Sequence, residues 1–212
     1  MNNQNKIVFV VFCLILFFIS IFIVYKVIGK RNNVKNSNDI VQIKEEKIDN
    51  DNYDYKITNR ATDYEKELFN ELENIVSAEN ILYEDYANVL VKIFVADLFT
   101  LKNKKSSSDV RCSQYVYDKY QETFKLMVKE SIYSHIELDL DGSREQKLPV
   151  VKNVIVNSIN NEEFVFDNKV LDEGAFNINV SIEYVEDMGY PNSYNVVLIN
   201  KDKKLQVVKT FE

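Results

Sequence analysis

An α+β fold is what this chain of 212 residues predicts. Three observations lead there: helical apolar spacing recurs between Thr62 and Tyr133, the apolar period changes from 3.6 to 2 after His135, and Phe176 to Tyr184 alternates strictly. The expected architecture is three helices packed on one face of a curved antiparallel sheet of about four strands. A single N-terminal transmembrane helix is expected ahead of it.

Residues 1–6 form a short tail and 7–29 the expected span. Ile7 to Tyr25 is nineteen positions without charge, Pro or Gly, about 28 Å of helix against a hydrocarbon core of about 30 Å. The run exceeds the core of a cleaved signal peptide, and Lys26-Val-Ile-Gly-Lys30-Arg31 follows it instead of a small-residue cleavage site. Orientation carries a conflict. Lys26, Lys30, Arg31 and Lys35 outnumber Lys6, which by the positive-inside rule puts the large domain in the cytoplasm. Long domains translocate largely regardless of flanking charge, and export of a single following domain is the expectation adopted.

Residues 30–59 read as a polar tether rich in Asn and charge, with Tyr53 to Ile57 alternating as a short strand. The folded domain is expected over 60–212. Its first helix opens on Thr62-Asp-Tyr-Glu65, a capping box, and continues through Leu68, Leu72, Ile75 and Val76 opposite Glu67, Glu71 and Glu73. The second spans Glu84 to Leu101, with Tyr86, Val89, Leu90, Ile93, Phe94 and Leu98 on a wide apolar face that marks it as central. The third covers Asp118 to Tyr133. Lys102 to Asp109, between them, reads as a solvated loop. Strands are expected at Val150–Ile159, with Phe164–Phe166 continuing or pairing with it, and at Phe176–Tyr184. A final hairpin joins Tyr194–Ile199 to Leu205–Phe211 around Asn200–Lys203.

Composition narrows the function classes. A net charge of −7 argues against nucleic acid, whose binding rests on clustered Lys and Arg. Two cysteines, Cys13 in the apolar run and Cys112 in the domain, make neither a disulfide framework nor a thiolate metal cage. With four glycines and no G-x-x-x-x-G-K, G-x-G-x-x-G or H-E-x-x-H, no phosphate loop, catalytic motif, cofactor site or metal site emerges.

Two residues are pocket candidates. Asp97 interrupts the apolar run of the second helix, where a buried carboxylate would have a raised pKa; at the helix rim it would be merely solvated. His135, the sole histidine, sits at the seam of helix and sheet, as a general base or a boundary residue. Cys112 follows Arg111 and without a His partner is expected to be inert. Asn177, Asn179, Ser181 and Glu183 line the outer face of the clearest strand. They are the interface candidates, since a mostly uncharged row is cheap to desolvate; plain exposure is the alternative.

The order of one span, a tether, three helices and about four antiparallel strands resembles the nuclear-transport-factor-like cone. More narrowly, it is similar to the bitopic inner-membrane component of type IV secretion and conjugation channels, over Asn59 to Glu212. Phe94-Val-Ala-Asp-Leu-Phe-Thr-Leu-Lys-Asn103 also resembles segments of clostridial membrane proteins, in keeping with the Asn, Lys, Ile and Tyr bias. The secretion resemblance implies a non-enzymatic scaffold that self-associates and contacts other membrane or envelope proteins. The alternative is a membrane-anchored cone-fold carrier or enzyme with a pocket between sheet and helices.

Overall fold

A computed structural model describes residues 45–47 and 53–211. The expected span at 7–29 and most of the tether lie outside the described residues. Among the described residues no helix is long and apolar enough to cross a membrane.

The described chain is α+β, with three α-helices followed by a four-stranded antiparallel sheet. A small ladder comes first: β1 (Glu45–Lys47) pairs antiparallel with β2 (Lys56–Thr58). Helix α1 runs Asp63–Val76, and both reciprocal bonds of its capping box form at Thr62 and Glu65. Helix α2 runs Tyr83–Phe99 and is buried from Tyr86 onward on nearly every side, which explains why its sequence is apolar almost throughout. Two short 3-10 turns, Arg111–Tyr115 and Asp118–Tyr120, lead into α3 (Gln121–Glu130). The third helix is therefore shorter than its apolar spacing suggested. Its first residues form the 3-10 turn, and Ser131 Oγ, donating to the Met127 carbonyl, accompanies its exit into turns.

The sheet follows in the order β3 (Val151–Phe166), β4 (Lys169–Tyr184), β5 (Ser193–Lys201), β6 (Lys204–Phe211). Both hairpins with two-residue tips place non-glycine residues in the left-handed region: Asp167 and Asn168 at φ 50° and 59°, Asp202 and Lys203 at 52° and 69°. That conformation matches the twist of the flanking strands. Phe164–Phe166 continues β3, and β4 begins seven residues earlier than its alternation predicts. Within its early part Asp172 pairs with Phe164 and accepts from the amides of Gly174 (2.9 Å) and Asn200 (2.6 Å). Register shifts at Val156/Ser158 and around Phe164 bend the long β3–β4 arm.

Phe176, Ile178, Val180 and Ile182 face the helices with Tyr194, Val196, Leu198, Leu205 and Val207. Each large apolar side chain fully buried there is worth about 1.5–3 kcal/mol. On the opposite face a second cluster gathers Tyr117, Ala175, Val197 and Ile199, so that face is apolar at one end and polar at the other. Packed structure also begins ahead of residue 60. Tyr53, Tyr55 and Ile57, assigned above to the tether, are in the core. Tyr55 and Tyr86 hydroxyls meet at 2.5 Å, and Tyr55 stacks obliquely on Tyr115 with centroids 5.2 Å apart.

Candidate functional site

Helix α2 ends with Asp97 inside the protein, 8% exposed, rather than at the rim. Its carboxylate is bonded to the ammonium of Lys104, which is completely buried. Arg111 lies 3.7 Å from the same oxygen and ties the cluster outward. It donates to Thr58 Oγ1 on β2 and to Asn103 Oδ1 at 2.7 Å, and it pairs with Asp109 at 3.3 Å. Asn103 in turn donates its amide to both oxygens of Glu65, at 2.9 and 3.2 Å, while Glu65 also accepts from the Thr62 backbone at 2.7 Å. The loop read as solvated, Lys102 to Asp109, thus carries two buried polar side chains, Asn103 and Lys104. Its hydration is replaced by charge pairing, the condition on which an ammonium tolerates burial.

Three carboxylates (Glu65, Asp97, Asp109) face two cations in this cluster. The imbalance shows at Glu65: burial pushes its carboxyl above the usual range and Asp97 adds to that, with Lys104 opposing. At Arg111 burial acts to lower the pKa, but Asp97, Asp109 and Glu65 outweigh it and hold the guanidinium firmly charged. Burial drives the Cys112 thiol far up, so the neighbouring arginine does not activate it, and the side chain is wholly inaccessible.

Because Glu65 binds its proton more tightly in the folded chain, the folded state holds more protons just above the ordinary carboxyl range. Stability is then expected to fall as pH rises from the unfolded value of 4.5 through the raised folded value. Asp139 works oppositely. Burial raises its pKa, but the Arg60 bond (2.6 Å) and Arg144 hold it below 3.8, so its contribution is lost in stronger acid. Glu65→Gln should flatten the upper slope and leave the acid limb intact in urea titrations across pH. An unchanged upper slope would remove Glu65 as its origin.

The space beside this cluster, lined in part by Thr58, Glu65, Asp97, Arg111 and Tyr115, measures about 20 Å³. It admits one water and no organic substrate. His135 does not line it. Its ring is exposed, with Nε2 2.7 Å from the Tyr190 hydroxyl, at the boundary position the sequence suggested. Asp97 and His135 therefore do not share that space. Among the described residues no group of three His, Cys, Asp or Glu side chains is placed to hold a metal ion.

The interface candidates form a lattice. Asn157 on β3 donates to Asn179 Oδ1 (2.7 Å) and Ser181 Oγ (2.8 Å), and Asn179 donates to Asn195 Oδ1 on β5 (2.9 Å). Asn177 donates to Glu162 (3.1 Å), and Glu183 accepts from Asn153 (3.3 Å). Asn177, Asn179 and Ser181 are half-buried and Glu183 is exposed. Ile155, 42% exposed, pairs with Ser181 on this face and supplies an apolar contact beside the amides.

Sequence reasoning missed Lys104, Asn103, Arg111 and Glu65 as members of one cluster. Only the capping role of Glu65 had a local signal. The chain matches no known protein family, no curated protein and no solved structure.

Proposed function

We propose that this chain is a single-pass, membrane-anchored assembly protein without enzymatic activity, whose folded domain docks other membrane or envelope proteins on the outer face of its sheet. In this reading residues 7–29 hold it in the bilayer and the domain is extracytoplasmic. The three helices and sheet take the cone-like arrangement of the nuclear-transport-factor type, and the resemblance to secretion and conjugation channel components names the kind of assembly.

The observation that carries this reading is the hydrogen-bonded lattice of Asn157, Asn179, Ser181 and Asn195. Its amides are already held in place, so docking freezes little additional side-chain freedom, and its uncharged groups cost less to desolvate than ions. A carrier needs open space between sheet and helices instead. Beneath α2, Phe99 meets Tyr194 edge-on with centroids 5.1 Å apart, packed into the core with Val196 and Leu198; the space of about 460 Å³ between α3 and β6 lies apart from this, lined by Tyr120, Phe124, Met127 and Val207.

A photoreactive residue at position 155 of the full chain in its native membranes should give adducts of discrete mass. The same residue at Glu122, on α3, should not. Equal labelling from both positions, or none from 155, would refute docking on the sheet, and release of the chain by alkaline carbonate would refute the anchor.

A further inference from the structure

Between the C-terminal half of α1 and the start of α2 lies a groove of about 560 Å³. Apolar Ile75, Ala78, Leu82 and Val89 line it together with three asparagines and the exposed carboxylates Glu71 and Asp85. Three features of the two helices that form it work against local stability. Leu82 occupies the N-cap of α2, where Ser, Thr, Asp or Asn would bond the free amides; it makes no such bond and is 66% exposed. Glu67 and Glu71 stand four apart on α1, a repulsive spacing. The last turn of α1 carries Glu73 and no basic residue, the wrong sign for the negative end of a helix dipole. Asp85, in the first turn of α2, is accounted for by the positive end of that helix's own dipole; Glu71 on α1 has no such account. None of Glu67, Glu71, Glu73 or Asp85 has an ion-pair partner among the described residues.

We propose that this groove docks a basic amphipathic helix from a partner protein. Its apolar side chains seat on Ile75 and Leu82, and its Lys or Arg side chains neutralise Glu71 and Asp85. Charge complementarity selects the sign of the partner. The groove's walls select its form, because two helices offer no free backbone edge, so an incoming segment must satisfy its own amides, as a helix does. The inference rests on the assembly reading in giving the protein a second contact surface, distinct from the sheet face.

The test uses the full chain in phosphatidylcholine nanodiscs with empty nanodiscs as blank. The probe is a dye-labelled Leu/Lys peptide of about 18 residues, long enough to hold a helix, with its leucines on one face. Saturable binding by fluorescence anisotropy is expected, weakening as salt rises. The double variant Glu71→Lys/Asp85→Lys should bind about tenfold more weakly, as should Leu82→Asp. A scrambled peptide of the same composition should not saturate. Equal affinity for the charge-reversed chain, or equal binding of the scrambled peptide, would overturn the proposal. All three positions are exposed, so a variant whose circular dichroism matches the parent reports on binding. Loss of peptide binding with adducts at position 155 unchanged separates this surface from the sheet face.

Discussion

Replacing Lys104 with methionine is expected to cost about 3–5 kcal/mol of unfolding free energy. The substitution keeps most of the side chain's length and apolar stem but removes the ammonium that faces Asp97 inside the protein. Arg111, 3.7 Å away and already committed to Thr58, Asn103 and Asp109, cannot move in to replace it. Asp97 and Glu65 would then be left with one cation between them, and a buried carboxylate without compensation is the expensive case. A domain's whole stability is commonly about 5–15 kcal/mol, so the loss is a large fraction of it. Urea unfolding followed by far-UV circular dichroism suits a chain with no tryptophan. The midpoint should fall with little change in slope. Adding Asp97→Asn should recover much of the loss, because the second change removes the orphaned charge. A Lys104→Met cost below about 1 kcal/mol, or no recovery in the pair, would mean that the cluster does not carry charge in the folded protein.

The contrast between Lys104 and the helices shows what a sequence reveals of its fold. Helices α1 and α2 were legible because the information is local: Thr62 and Glu65 cap each other, and Leu68, Leu72 and Val76 repeat at the period that buries one face. The β4 alternation from Phe176 to Tyr184 was legible for the same reason. Lys104 was not, because Lys102-Asn-Lys-Lys105 followed by three serines has every mark of a solvated loop. What buries it is Asp97, presented by a helix whose position is set elsewhere. The β3–β4 tip lay between. Asp167-Asn168 carries residues tolerant of positive φ, but Lys203 at 69° in the last hairpin has no such tolerance and is held at the tip closed by the ladder pair Lys201 and Lys204. Of the site residues, Asn177, Asn179 and Ser181 were placed by alternation alone, whereas Asn157 and Asn195, which complete the lattice, come from neighbouring strands whose register no local pattern fixes. Asp97 was singled out for breaking an apolar run; its partners Lys104 and Arg111 lie in the loop and turn that follow, and Asn103 and Arg111 extend the cluster to Glu65 on α1 and Thr58 on β2.

Tyr55→Ala should be comparably damaging, at about 3–5 kcal/mol, the range for removing a buried aromatic ring. Tyr55 is fully buried among Tyr53, Tyr86 and Tyr115, and Lys204 Nζ lies 4.8 Å from its ring centre. Around it the strap 53–58 is pinned by Lys204 to Asp54 (2.9 Å), by the Tyr53 hydroxyl to the Lys203 carbonyl (3.1 Å), and by two bonds between Gln114 and the Lys56 backbone (2.8 and 3.0 Å). Asp54 and Lys56 are exposed, so their pairings are worth little alone; the ring supplies most of the attachment. Tyr55→Phe separates the two contributions. It keeps the ring and loses the hydroxyl bonds to Tyr86 and the Leu205 carbonyl, for about 0.5–1.5 kcal/mol. Limited proteolysis gives the local readout: Tyr55→Ala should open cleavage near 53–58 under conditions where Tyr55→Phe stays protected. That outcome has a functional reading. Under the proposed anchored role, tension from the N-terminal side would enter the folded domain at this strap, where Thr58 is bonded to Arg111 of the buried cluster. Early cleavage at the strap in the parent chain, or an alanine variant as resistant and as stable as the parent, would mean that the strap is not part of the load path.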